Sequence, residues 1–209
     1  MGWTTLALAK GRTAKATIKL LKKANINFPD FHEKTRKLIF YDEQQKIKML
    51  FVKAVDVTTY VSTGAADIGI VGKDNILESE ADVYEMLDLK IGKCQFVIAS
   101  LKLDSLDDLN QLTVATKYTN VAKRYFAKKD IAIETIKLNG SVELAPLIGM
   151  SDVILDIVET GTTLKENGLT VLETIENIST RLIVNQASFA TKTEPIQTII
   201  QQLQRVLEA

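Results

Sequence analysis

Ser151-Asp152-Val153-Ile154-Leu155-Asp156-Ile157-Val158-Glu159-Thr160-Gly161-Thr162-Thr163-Leu164 decides how this chain is to be read. The apolar run Val153, Ile154, Leu155, Ile157 and Val158 has the length and branching of a buried strand. It ends in a glycine flanked by three threonines, where a strand should turn into a helix. Backbone N–H groups at a helix start have no intrahelical acceptor, and threonine hydroxyls add donors, so Glu159, Thr160, Gly161, Thr162 and Thr163 form a candidate phosphate loop. Gly161 allows a close backbone approach or a positive φ. The carboxylates Asp152 and Asp156 suit sugar hydroxyls, Mg²⁺, or positive charge developing on a sugar carbon. The competing reading of the same residues is a strand, an N-cap and a solvated loop.

Strand followed by helix recurs on both sides of this stretch. Thr4–Leu8, Leu38–Tyr41, Lys48–Lys53, Asp67–Val71, Lys93–Leu101, Leu112–Thr116, Ile131–Leu138, Leu169–Ile175 and Arg181–Val184 read as strands. Ala14, Ile18 and Leu21 recur at helical spacing, as do Ile196, Ile199, Ile200, Leu203, Val206 and Leu207 between Glu194 and Leu207. Asp56 is expected to cap a helix through Val61, Asp104-Ser105 to open a short helix, and Asn120–Lys128 and the residues after Ser141 to be helical. The alternation predicts an α/β protein with mainly parallel or mixed sheets. There are more strands than one small sheet holds, so two lobes are expected. Residues 1–92 with 180–209 form the first, closed by the final helix, and residues 93–179 form the second and carry the phosphate loop.

Ala9-Lys10-Gly11-Arg12-Thr13 joins the first strand to the first helix and places two cations around a glycine. In open α/β sheets, ligands gather beyond the carboxyl ends of strands, so Lys10, Gly11 and Arg12 form a second candidate anion site. Gly64–Asp74 ends in Gly72, Lys73 and Asp74 and has the same strand-turn design; close packing of helix on strand explains its glycines equally well. Glu143 sits in a helix start, as a dipole complement or as an acceptor for a base amino group. The 209 residues carry 26 basic and 26 acidic side chains, so no global field draws nucleic acid. One histidine and one cysteine leave no Cys/His zinc cluster, and any metal is expected to be Mg²⁺, held by oxygens that come largely from substrate, with no dedicated protein cluster. No apolar run is long enough to span a membrane and no secretory leader is seen, so a cytoplasmic protein is expected.

Taken together, Leu8–Arg12, Asp56–Val61, Gly64–Asp74, Leu87–Leu89 with Gly92 and Cys94, Ala115–Tyr118, Leu138–Pro146 and Asp152–Leu169 make the chain resemble the short form of the ATP phosphoribosyltransferases, through nearly its whole length. The resemblance implies two lobes like those of periplasmic binding proteins, with the active site in the cleft between them. It implies that N1 of ATP attacks the anomeric carbon of phosphoribosyl pyrophosphate, giving phosphoribosyl-ATP and pyrophosphate, the first step of histidine biosynthesis. Glu159–Thr163 would take the ribose 5-phosphate, Asp156 and Asp152 the ribose or its Mg²⁺. Lys10, Gly11, Arg12, Lys53, Gly72, Lys73, Asp74 and Glu143 would serve pyrophosphate and ATP, with Asp156, Arg12 and Lys10 acting on the reaction itself. Lys53 stands where the family often has arginine, and Thr58 where it often has proline. The end at Ala209 implies a regulatory partner related to histidyl-tRNA synthetase, in a hetero-octamer. An orotate-type phosphoribosyltransferase, a two-lobed solute-binding module and an inactive regulatory subunit are the rival readings. A Lys-Gly-Arg segment is unexplained by the first, and a phosphate loop by the second.

Overall fold

Apolar strands and amphipathic helices build two mixed sheets, one in each of two units. The structure, a computed structural model, describes residues 2–32, 34–107 and 109–209. One unit is Met1–Gly92 with Ser179–Ala209, the other Lys93–Ile178. The first begins with β1 (Thr4–Ala9), α1 (Ala14–Lys23), β2 (Ile39–Asp42), β3 (Ile47–Val52), α2 (Ala54–Ser62), β4 (Ile68–Gly72), α3 (Lys73–Ser79) and β5 (Tyr84–Asp88). The second comprises β6 (Cys94–Ser100), β7 (Gln111–Thr116), α4 (Thr119–Ala127), β8 (Ala132–Lys137), α5 (Leu144–Leu147), β9 (Val153–Val158), α6 (Thr162–Glu166) and β10 (Thr170–Ile178). The chain then returns to the first as β11 (Thr180–Val184), α7 (Gln186–Thr191) and α8 (Thr193–Glu208).

The first sheet runs β2-β3-β1-β4-β11-β5. β3, β1 and β4 are parallel neighbours, while β2, and β11 against β4 and β5, pair antiparallel. β1, at the centre, is buried along its whole length, which is why Leu6 to Ala9 read as a continuous apolar run after Thr4 and Thr5. Leu6, Leu8, Met49, Ile68 and Ile70 pack against Leu21 of α1 and against Ile196, Ile199, Ile200 and Leu203 of α8. The opposite face carries smaller side chains, Ala7 and Ala9, under Val57 and Val61 of α2. Helix and sheet pack tightly at Gly69, where an added Cβ would lie 2.7 Å from Val61, and 2.9 Å from both Ile183 and Val57. At this position the packing explanation of the Gly64–Asp74 glycines holds. Asp67 is buried yet fully engaged: it accepts from Thr5 N–H (2.8 Å), the Ser188 hydroxyl (2.7 Å) and Lys192 Nζ (2.8 Å), binding the first strand to the last two helices.

The second sheet runs β10-β6-β9-β7-β8, with β9, β7 and β8 parallel and β6 and β10 antiparallel. Val97, Ala99, Ala115 and Ile154 pack under Val142, Ala145, Leu164 and Leu169. Tyr125 and Lys129 both bond to Glu173 of β10. Burial first, and then Glu173, push the Tyr125 phenol up to about 12.

Several local expectations are corrected. Asp56 does not cap α2; the N-cap is Lys53 and Asp56 lies in the first turn. No helix opens at Asp104-Ser105 among the described residues. The Ser105 hydroxyl instead accepts from Asp107 N–H (3.1 Å), a local turn that competes with helix. Ser141 does not cap α5 but adopts φ +48°, and Glu143 takes the cap position. β10 continues to Ile178 by absorbing two bulges.

Candidate active site

In the first unit three parallel strands deliver their following loops to one edge of the sheet. The registers Ala9↔Val52 and Leu8↔Ile70 set Lys10, Lys53 and Lys73 just past the carboxyl ends of β1, β3 and β4, with Gly72 the last residue of β4. Lys10 N–H extends the ladder to the Val52 carbonyl (2.7 Å), and its ammonium lies 5.4 Å from the centre of the Phe51 ring. Gly11 has φ +122° with open space where a Cβ would stand, so backbone conformation, not room, calls for glycine. Gly11 and Arg12 are exposed, and α1 begins at Ala14 with no acid in its first turn, a favourable end for an anion. Lys53 is exposed on extended backbone.

Gly72 and Asp74 answer each other. A Cβ on Gly72 would stand 2.1 Å from Asp74 Oδ1, and Asp74 Oδ2 accepts from Asn75 Nδ2 (2.8 Å). Asp74 is buried, with its carboxylate lying against Gly72 at the start of α3. Lys73 N–H donates to the Ser179 carbonyl (2.9 Å).

In the second unit β9, β7 and β8 share a direction, with Thr116 opposite both Leu155 and Lys137. Their carboxyl ends lead into Glu159–Thr163, Lys117-Tyr118 and Leu138–Glu143. Asp156 is half-buried on β9, on the face of Ile154 and Val158, and its Oδ1 accepts from Ile157 N–H (2.8 Å). Glu159 and Thr160 are exposed and Gly161 turns the chain at φ +75°. The Thr160 and Thr162 hydroxyls lie 3.0 Å apart, Lys165 N–H reaches the Gly161 carbonyl (3.0 Å), and buried Leu164 anchors the turn. With only five residues, α6 has little macrodipole; what the loop offers is its first-turn N–H groups and its hydroxyls. Glu143 is half-buried between buried Val142 and the buried pair Ala145 and Pro146.

Asp152 does not join this group. It precedes β9 at its amino end, about 20 Å of strand away from Glu159. There its Oδ2 accepts from Thr113 N–H (2.7 Å) and its own N–H donates to the Thr113 carbonyl (3.0 Å). It registers β9 on β7. Asp152→Asn is therefore expected to lower the melting temperature slightly and leave both Michaelis constants unchanged, as steady-state kinetics would check. Sequence reasoning assigned no role to Lys117, whose ammonium stands 5.3 Å from the Tyr118 ring centre in the third loop. The signal available was its place directly after a parallel strand. Among the described residues no three Asp, Glu, His or Cys side chains gather as a metal cluster.

Cations beyond the strands of one sheet, with hydroxyls and carboxylates beyond those of the other, define an α/β protein equipped for phosphorylated ligands. The family model of ATP phosphoribosyltransferase matches residues 53–205. An ATP phosphoribosyltransferase of Oceanobacillus iheyensis is 59% identical over 203 residues, 97% of this chain and 98% of that protein. One of Clostridioides difficile is 57% identical over 201 residues, 96% of each. Among solved structures, the ATP phosphoribosyl transferase (HisG:HisZ) complex from Thermotoga maritima is similar at TM-score 0.85 and 36% identity, with 98% of each chain covered. The periplasmic aliphatic sulphonate binding protein of Escherichia coli shares the fold alone, at TM-score 0.61 and 15% identity over 99% of this chain and 69% of that one. The chain belongs to the ATP phosphoribosyltransferase family. That family is a family of transferases that convert phosphoribosyl pyrophosphate and ATP to phosphoribosyl-ATP, the first step of histidine biosynthesis.

Proposed function

We propose that this chain performs that transfer through the loops described above, with N1 of ATP attacking the anomeric carbon as the carbon–oxygen bond to pyrophosphate breaks. The bonding pair leaves with pyrophosphate. Glu159–Thr163 receives the ribose 5-phosphate through backbone N–H groups and the hydroxyls of Thr160, Thr162 and Thr163. Asp156 lies under that loop and steadies the cation-like sugar carbon. Lys10 and Arg12 take the departing pyrophosphate, Arg12 as a fork and Lys10 as a point charge, with Gly11 giving their loop its shape. Lys53, Gly72 and Lys73 complete a phosphate-receptive edge, and Glu143 accepts from adenine or ribose. No side chain forms a covalent bond to substrate; alignment and charge supply the rate.

Asp156 and Glu159 are oxygen donors, the kind a hard divalent cation accepts, so the donor set fits Mg²⁺ held chiefly by substrate oxygens. When bound, the ion supplies charge neutralisation at the pyrophosphate. We further propose a hetero-octamer with a regulatory subunit related to histidyl-tRNA synthetase; the similarity to the Thermotoga maritima HisG:HisZ complex over 98% of the chain supports it. A cytoplasmic location is consistent with a biosynthetic family and with the lack, among the described residues, of a helix long and apolar enough to cross a membrane.

The observation that carries the site assignment is the hydroxyl-rich turn at the carboxyl end of β9 with Asp156 two residues before the strand's end. Thr162→Val keeps the shape of an exposed side chain and removes its hydroxyl. The Michaelis constant for phosphoribosyl pyrophosphate should rise several-fold, with unchanged melting and little change for ATP. An unaltered constant removes the phosphate role of this loop.

A further inference from the structure

Gly92, in the Gly92–Cys94 segment, is a motif position that none of these roles uses. It closes the first unit, where the chain leaves for the second. Its φ is +63°, and an added Cβ would stand 2.5 Å from Thr13 Cγ2 and 3.6 Å from Thr180 Oγ1. Thr13 follows Arg12 directly and is the N-cap residue of α1.

Both sides of this contact are fastened. Before Gly92, Leu89 N–H donates to the Thr180 carbonyl (2.9 Å), and Thr180 N–H donates to the Ile91 carbonyl (2.8 Å). Asp88 adds a brace by accepting from the Ser179 hydroxyl (2.7 Å) and Lys90 N–H (2.8 Å). Burial pulls the Asp88 carboxyl up, but Ser179, Lys90 and Arg181 outweigh it and hold it below its ordinary value. On the other side the Thr13 carbonyl accepts from both the N–H and the hydroxyl of fully buried Thr17 (2.9 Å each). Thr13 can yield to a new methyl only by turning its own side chain or moving its backbone beside Arg12.

We propose that Gly92 is a positioning residue for the reaction. Its bare α-carbon lets the departing chain seat Thr13, and through it the Lys10–Arg12 loop, in the conformation that takes pyrophosphate. Gly92 itself touches no substrate. The inference rests on the assignment of Lys10 and Arg12 to pyrophosphate made above.

The test compares the full chain with Gly92→Ala, Thr13→Ser, Gly92→Ala/Thr13→Ser and Arg12→Ala, measuring the dissociation constant for inorganic pyrophosphate and the Michaelis constant for phosphoribosyl pyrophosphate. Gly92→Ala should weaken pyrophosphate binding on the order of tenfold. Thr13→Ser alone should change little. In the double variant the serine removes the carbon that stands 2.5 Å from the new methyl and should restore most of the affinity. Strain from alanine at positive φ persists in the double variant, so rescue isolates the contact. Unchanged affinity in Gly92→Ala, or a loss that serine does not relieve, overturns the proposal. If Gly92→Ala fails to fold, the double variant decides: recovery of fold and affinity supports the contact, and failure of either refutes it. Arg12→Ala scores the anion loop separately. A loss there with none in Gly92→Ala refutes the positioning role alone, whereas full affinity in Arg12→Ala refutes the underlying assignment.

Discussion

Gly69→Val is expected to cost the protein at least about 3 kcal/mol of stability. Gly69 lies in β4 with Val57 and Val61 of α2 above it and Ile183 of β11 beside it, all three fully buried. The first carbon of any side chain would already be inside contact distance of each, at 2.7 to 2.9 Å. None of the three is the flexible end of a long side chain. Relief therefore requires α2 to lift from the sheet, which uncovers Ala7, Ala9 and Val71 together. Gly140→Ala is the control, since its Cβ meets nothing within 4 Å, and its stability should stay within about 0.5 kcal/mol of the parent. Urea unfolding followed by circular dichroism gives both values. A Gly69→Val chain that unfolds with the parent's midpoint would show that α2 does not pack on β4 as described.

The second large effect is on turnover. Asn at position 156 keeps the size of the side chain and an oxygen for the Ile157 N–H, and removes the negative charge. If that charge opposes positive charge that exists only as the glycosidic bond breaks, Asp156→Asn should lower kcat on the order of 100-fold and change substrate affinity far less. Single-turnover rates with saturating ATP and phosphoribosyl pyrophosphate separate the two. A raised Michaelis constant with normal kcat would reassign Asp156 to ground-state binding.

Legibility in the sequence followed burial and periodicity. β1 announces itself because a strand buried along its whole length is written largely in apolar residues, β9 because Val153–Leu155 is apolar and buried, and α8 because its stripe repeats over four turns. β5, Tyr84–Asp88, does not: it is an edge strand whose residues are half-buried or exposed, and no run of apolar side chains marks it. α3 is hidden by the glycine at its start, which reads as a loop until Asp74 is seen lying across it. Ser105 and Ser141 look like caps because their chemistry suits caps, but serine serves local turns as readily, and only backbone geometry separates the uses. The loops after β1 and β9 could be picked out because glycine, hydroxyls and cations cluster there. The structural use of Asp152 could not: chain order puts it before the strand, but the Thr113 N–H that its carboxylate accepts from belongs to β7, a partner about 40 residues distant.

β11 lies between β4 and β5 in the first sheet, yet it is made only after the whole second unit. On a ribosome, Lys93–Ile178 emerges as an uninterrupted segment and can condense while the outer unit is still missing an interior strand. Until Thr180–Val184 arrives, β5 has no neighbour and Asp67 lacks Ser188 and Lys192. Nascent enzyme thus passes through a half-finished stage in which an apolar seam, Ile68 to Val71, stands open to chaperones or to misassembly.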